Sequence, residues 1–145
     1  MTHSCNVATA LLADRMGGER MERNLVAFGF GRPTQSGLPG EENGLVPREW
    51  SRIRTANVGF GQGIAVTPIQ LVAAYAALAD GRYRAPRIVK AVHDPTTGRS
   101  KALSLSEPTP VISSETAQAI REMLASVVDK GTGATAALPQ YRLGG

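Results

Sequence analysis

Apolar residues return at helical spacing in four stretches of the chain and alternate in a fifth. Across residues 4–16, Val7, Ala10, Leu11 and Leu12 supply an apolar face, and Gly17-Gly18 ends it. Residues 19–28 predict a second helix, with Met21, Leu25 and Phe28 on one side and Gly29 and Gly31 as terminators. A third starts at Thr67-Pro68-Ile69-Gln70. Thr67 can cap it, Pro68 occupies the first turn where a missing N–H costs nothing, and Gln70 completes a capping box. That helix continues through Leu71, Ala74, Tyr75 and Leu78 to near Gly81; the run 73–79 is apolar almost all round and predicts burial. The fourth is capped by Ser113 or Ser114 and runs to about Lys130, with Ala117, Ile120, Leu124 and Val127 as its stripe and Gly131 as its stop.

Between these lie two stretches of other character. Residues 32–57 have no sustained period and are punctuated by Pro33, Gly37, Pro39, Gly40, Gly44 and Pro47. They predict a long surface loop with one short turn around Trp50, of the kind that is usually functional or partner-facing. Residues 87–105 predict a hairpin. Ile88, Val89, Ala91 and Val92 form its outgoing strand, Asp94-Pro95-Thr96-Thr97-Gly98 the turn, and Leu103 and Leu105 the return. Tyr141 and Leu143 suggest the beginning of a further strand. The expected class is α/β, mixed and helix-rich, with one domain over residues 1–145.

Composition narrows the function classes. At 145 residues, 42% hydrophobic and 19% charged, the chain fits one globular domain. Its net charge of +4 comes from basic residues spread along the sequence, which reads as solvated surface and argues against nucleic acid. The lone Cys5 excludes an internal disulfide. No apolar stretch approaches a bilayer span and no signal-peptide pattern is visible, so the chain is expected to be soluble without an export address.

The residues that carry chemistry are few. Ser4-Cys5-Asn6 opens the first helix. A serine or asparagine there is ordinarily a cap, but a hydroxyl and a carboxamide on one helix turn also suit acyl transfer, passing a proton and holding an amide. Gly59-Phe60-Gly61-Gln62-Gly63 suggests a phosphate cradle, yet Ile64 stands where the dinucleotide fingerprint needs its third glycine. Tight packing before a capped helix is the better reading. Lys130-Gly131-Thr132-Gly133 is one residue away from Lys-Thr-Gly, and on a strand that extra residue would turn every side chain to the other face. Cys5 with His3 makes a poor nucleophile pair at a loosely fixed position. His93 has no metal-ligand pattern around it, and no metal site is expected.

Taken in order, these segments resemble the transpeptidase domain of class B penicillin-binding proteins, most closely the cell-division type. His3-Ser4-Cys5-Asn6-Val7 is similar to the second of three active-site motifs, S-x-x-K, S-x-N and K-T-G. Gly37-Leu38-Pro39-Gly40-Glu41 and Gly44-Leu45-Val46-Pro47 resemble the family's loop after a helical pair. The most specific block runs from Thr55 through Gly59-Phe60-Gly61-Gln62-Gly63 and Thr67-Pro68-Ile69-Gln70 to Leu71. Gly131-Thr132-Gly133 followed by Tyr141-Arg142-Leu143-Gly144-Gly145 resembles the lead-in to the K-T-G strand.

The resemblance implies a serine-type peptidoglycan D,D-transpeptidase that cross-links stem peptides during division and is acylated by β-lactams, with no cofactor. Ser4 would be a catalytic residue in the proton-transfer network, and Asn6 a substrate-binding residue for the peptide amide. The parent protein would be anchored in the inner membrane with this domain outside the cytoplasm, and division proteins are candidate partners. However, no serine here has a lysine three residues on, and no lysine precedes Thr-Gly. The chain is therefore expected to be a central fragment of the fold, lacking the S-x-x-K helix and the K-T-G strand. Alone it is expected to be inactive and weakly stable, with its apolar helix 68–79 left open. The alternative is a non-catalytic helical module whose 32–57 loop binds a division partner.

Overall fold

The computed structural model describes residues 2–104 and 106–145. Among these, α1 (Asn6–Met16), α2 (Gly18–Ala27), α3 (Arg52–Gly59), α4 (Pro68–Asp80) and α5 (Ser114–Lys130) are helices. Strands β1 (Arg82–Tyr83), β2 (Ala91–His93), β3 (Ser100–Ala102) and β4 (Thr109–Pro110) form two separate antiparallel pairs, β1 with β4 and β2 with β3.

The first helix buries the opposite side from the one its large apolar residues predict. Val7, Leu11 and Leu12 are exposed, whereas Ala13 is buried against α3. The reason lies in Gly59 at the end of α3. A Cβ added there would stand 2.5 Å from the Ala13 Cβ and 2.9 Å from the Thr9 carbonyl oxygen. Only small side chains permit such an approach, so α1 turns its alanine side inward. Lower on the same seam the Asp14 carboxylate accepts a forked pair from Arg52, at 2.6 Å from Nε and 2.8 Å from Nη2.

Helix α3 is a correction to the expected loop of residues 32–57. Its sequence carries almost no apolar stripe: Ile53 points to solvent and the inward positions are Thr55 and Val58. The local signal is Ser51, whose hydroxyl accepts from the Arg54 N–H at 3.2 Å and caps the helix.

Helix α4 starts as expected. Thr67 Oγ1 accepts from Gln70 N at 3.2 Å, and Gln70 Oε1 accepts from Thr67 N at 2.9 Å. Gly81, in the left-handed conformation at φ 81°, ends it. The predicted burial holds for one side only. Gln70, Ala73, Ala74 and Ala77 are buried, while Leu71, Val72 and Tyr75 are exposed. Helix α5 matches its expected span and is capped by Ser113, which accepts from Thr116 N at 3.1 Å.

The rest of the 32–50 stretch is largely exposed but is tied to the body at a few points. Gln70, 1% exposed, donates through Nε2 to the carbonyls of Arg32 (2.8 Å) and Asn43 (2.9 Å). Leu45 and Ala65 exchange two backbone bonds at 2.7 and 2.9 Å. The hairpin is shorter than expected, because Ile88 donates its N–H to the Ser36 carbonyl instead of joining a ladder. Leu105 of the expected return strand lies outside the described residues. No strand forms at Tyr141 or Leu143; the segment lies along α5, where Gly145 donates to the Leu124 carbonyl at 3.3 Å.

Candidate active-site motif

Residues 4–6 are held at the junction of two packed elements. On one side, α1 is locked to α3 by the Gly59 approach. On the other, the Thr2 carbonyl accepts from the Thr132 N–H at 3.2 Å, just beyond the end of α5. The Thr2 and Ser126 hydroxyls lie 3.4 Å apart. The fold thus brings Gly131-Thr132 beside the triplet, two pieces of sequence more than 120 residues apart.

The backbone of the triplet is fixed while its side chains are not. Thr9 donates from its N–H to the Cys5 carbonyl (3.2 Å) and from its hydroxyl to the Asn6 carbonyl (3.0 Å). Cys5 is the N-cap residue and makes no side-chain cap bond. Neither the Ser4 hydroxyl nor the Asn6 carboxamide has a hydrogen-bond partner among the described residues, and both residues are exposed. The capping role open to either residue in the sequence is therefore not the one adopted. Ser4 also has a φ of 48°, a left-handed conformation that is uncommon outside glycine and that clusters at functional sites. One hydroxyl, able to donate and accept, stands free just before the helix, and one carboxamide, able to do both at once, on its first turn. His3 and Cys5 are likewise exposed. Among the described residues, no three His, Cys, Asp or Glu side chains gather as a metal site would require.

A second polar cluster was not foreseen from sequence. The Glu41 carboxylate accepts from Thr34 N (2.6 Å), Thr34 Oγ1 (2.8 Å), Gln35 N (3.0 Å), Ser36 N (2.6 Å) and Ser36 Oγ (2.5 Å). The Ser36 hydroxyl, with Thr34 and the two backbone amides behind it, outweighs desolvation and holds the Glu41 carboxyl down to about 2. Thr34 and Ser36 are 3% and 2% exposed. The available signal was the Thr-x-Ser pair five to seven residues before a glutamate in a glycine-proline loop. This cluster organises backbone and leaves no polar group open for a ligand.

A cleft of about 470 Å³ lies elsewhere, between α4, α5 and the 142–144 segment. Tyr75, Leu78, Leu124, Arg142 and Leu143 line it, and none of residues 4–6 does.

Over residues 1–145 the sequence matches the family described as penicillin binding protein transpeptidase domain. Penicillin-binding protein PbpB of Mycobacterium tuberculosis is 42% identical over 98% of this chain and 22% of its own length. Stage V sporulation protein D of Bacillus subtilis is 42% identical over 99% of this chain and 23% of its own length. The crystal structure of penicillin-binding protein 3 from M. tuberculosis, complexed with ampicillin, superposes with a TM-score of 0.87 at 41% identity, over 97% of this chain and 33% of that one. The chain thus spans under a quarter of the length of these curated relatives.

Proposed function

Since this chain belongs to the penicillin-binding protein transpeptidase family, among the class B, cell-division type, we propose that it supplies the S-x-N portion of a peptidoglycan D,D-transpeptidase site. Residues 1–145 are then part of one transpeptidase domain. Ser4 is a catalytic proton relay, passing the proton released when an S-x-x-K serine attacks the D-Ala-D-Ala carbonyl, and returning it to the leaving amine. Asn6 binds substrate. Its carboxamide meets the backbone amide of a stem peptide, or the corresponding amide of a β-lactam, through one donated and one accepted bond. The acyl group then passes to an amine on a neighbouring stem. The parent protein works at the division site, anchored in the inner membrane with this domain outside the cytoplasm. Among the described residues no helix is long and apolar enough to cross a membrane, so that anchor lies outside them.

One observation carries the reading. The Ser4 and Asn6 side chains are exposed and serve no internal hydrogen bond among the described residues, at a helix start that Thr9 ties down through the Cys5 and Asn6 carbonyls. The test is acylation of the longer protein by a fluorescent penicillin. Ser4→Ala is expected to slow it roughly 100-fold, the lower end for a positioned proton-transfer group. Asn6→Ala is expected to slow it about tenfold, through lost orientation. Wild-type acylation rates in both variants overturn the assignment. The 145-residue chain alone is expected to take up no label; labelling that prior boiling abolishes would sink that expectation.

A further inference from the structure

The excess positive charge falls within a single segment of the chain. Residues 82–101 carry six arginines and lysines against one acid, Asp94, whereas the rest of the chain carries ten against eleven. The whole surplus therefore belongs to one segment, β1 and the β2–β3 arm. Every residue from Lys90 to Ala102 is exposed, so the arm stands off the body. Its base is seated by Val89 and Leu103 against Gly37. Its tip is stiffened by Asp94, whose carboxylate accepts from Thr96 N (2.8 Å) and Thr97 Oγ1 (2.7 Å). The one acid of the segment is thus occupied within its own turn. Arg84 pairs with Asp80 at 2.6 Å, but Arg87, Lys90, Arg99 and Lys101 form no ion pair among the described residues.

The arm's backbone is also open. β2 and β3 pair only with each other among the described residues. Lys90 bonds to Leu103, and Asp94 to Arg99, so by antiparallel alternation the amides of Ala91 and His93 face outward from β2. Val92, 58% exposed, stands opposite Lys101, with Lys90 and Arg99 on the same face. An open edge with lysines repels a second copy of itself, which guards against aggregation. The same charges admit a strand of opposite sign.

We propose that the β2–β3 arm is a docking site for an extended acidic segment of a partner protein, added as a third strand beside β2. Backbone bonds from Ala91 and His93 supply the pairing, Val92 the apolar contact, and Lys90, Arg99 and Lys101 the charge complementarity. A membrane surface or nucleic acid would use the charge but has no use for an unpaired strand edge.

The test is fluorescence anisotropy on the longer protein, with a labelled peptide of alternating glutamate and valine. Binding is expected, weakening more than tenfold between 50 and 300 mM salt. Lys90→Glu with Lys101→Glu should weaken it at least tenfold, while Arg121→Glu with Arg142→Glu, of equal charge change away from the arm, should change it less than twofold. The milder pair Lys90→Gln with Lys101→Gln should fall between, with the circular dichroism of the parent. The same peptide N-methylated at alternate residues should bind at least fivefold more weakly. Equal losses from both charge reversals, undiminished binding of the methylated peptide, or tighter arm-dependent binding to phosphatidylglycerol vesicles or duplex DNA each overturn the proposal. Because the readout needs no acylation, it stands or falls separately from the Ser4 and Asn6 assignment.

Discussion

Two groups of polar side chains in this chain are treated in opposite ways. Around Glu41 and Gln70, hydroxyls, a carboxylate and a carboxamide are drawn together with the backbone, and their hydrogen-bonding capacity is turned inward. At Ser4 and Asn6 a hydroxyl and a carboxamide are exposed and unengaged among the described residues. Gln70 and Asn6 both sit where irregular chain meets a helix start. Polarity alone therefore does not separate the two groups; the presence or absence of an internal partner does.

Substitutions can break that contrast. Gln70→Leu is expected to have the largest effect. It strands the Thr67 N–H and frees the carbonyls of Arg32 and Asn43, at a cost of about 3 kcal/mol for several unmet buried groups. Urea denaturation of the longer protein measures this, and a loss below about 1 kcal/mol means the carboxamide is not what holds the loop. Next is Gly59→Val, which drives a branched side chain into Ala13 and Thr9 and should destabilise by about 2 kcal/mol. Its effect should reach Ser4 and Asn6 through α1, slowing penicillin acylation as well.

Glu41 sharpens the comparison through pH. Its carboxyl sits at about 2 in the folded chain against an ordinary 4.5, so the folded state favours the ionised form. The stabilisation is fully present above about 4.5 and is lost as pH falls towards 2. Amide exchange at residues 34–36 should stay slow down to that range and accelerate below it, whereas Glu41→Gln should exchange fast at every pH. The smallest stability effects belong to the other group. Ser4→Ala and Asn6→Ala are expected to change folding by no more than about 0.5 kcal/mol, since no internal bond is lost. A loss above about 1 kcal/mol in either would place that residue with Gln70 instead.

What sequence made legible was what local rules govern. The capping box at Thr67 and Gln70, the cap at Ser113 and the glycine stops follow from chemistry within four residues. What it hid depended on distant neighbours. The exposed side of α1 was misjudged because Val7, Leu11 and Leu12 look like a core face until Gly59 draws the small side of the helix inward. Helix α3 was missed because its buried positions are Thr55 and Val58 rather than an apolar stripe. The order within residues 34–43 was invisible for the same reason: Glu41 and Gln70 act there across five to 38 residues. The triplet at residues 4–6 was recognisable only by family resemblance. That its side chains are unengaged is a fact of the fold.

The left-handed backbone at Ser4 has an evolutionary corollary. A side chain at that φ is strained by roughly 1 kcal/mol relative to glycine, which adopts it freely. Ser4→Gly should therefore raise the melting temperature while abolishing the hydroxyl. Selection for robustness alone would drift this position to glycine.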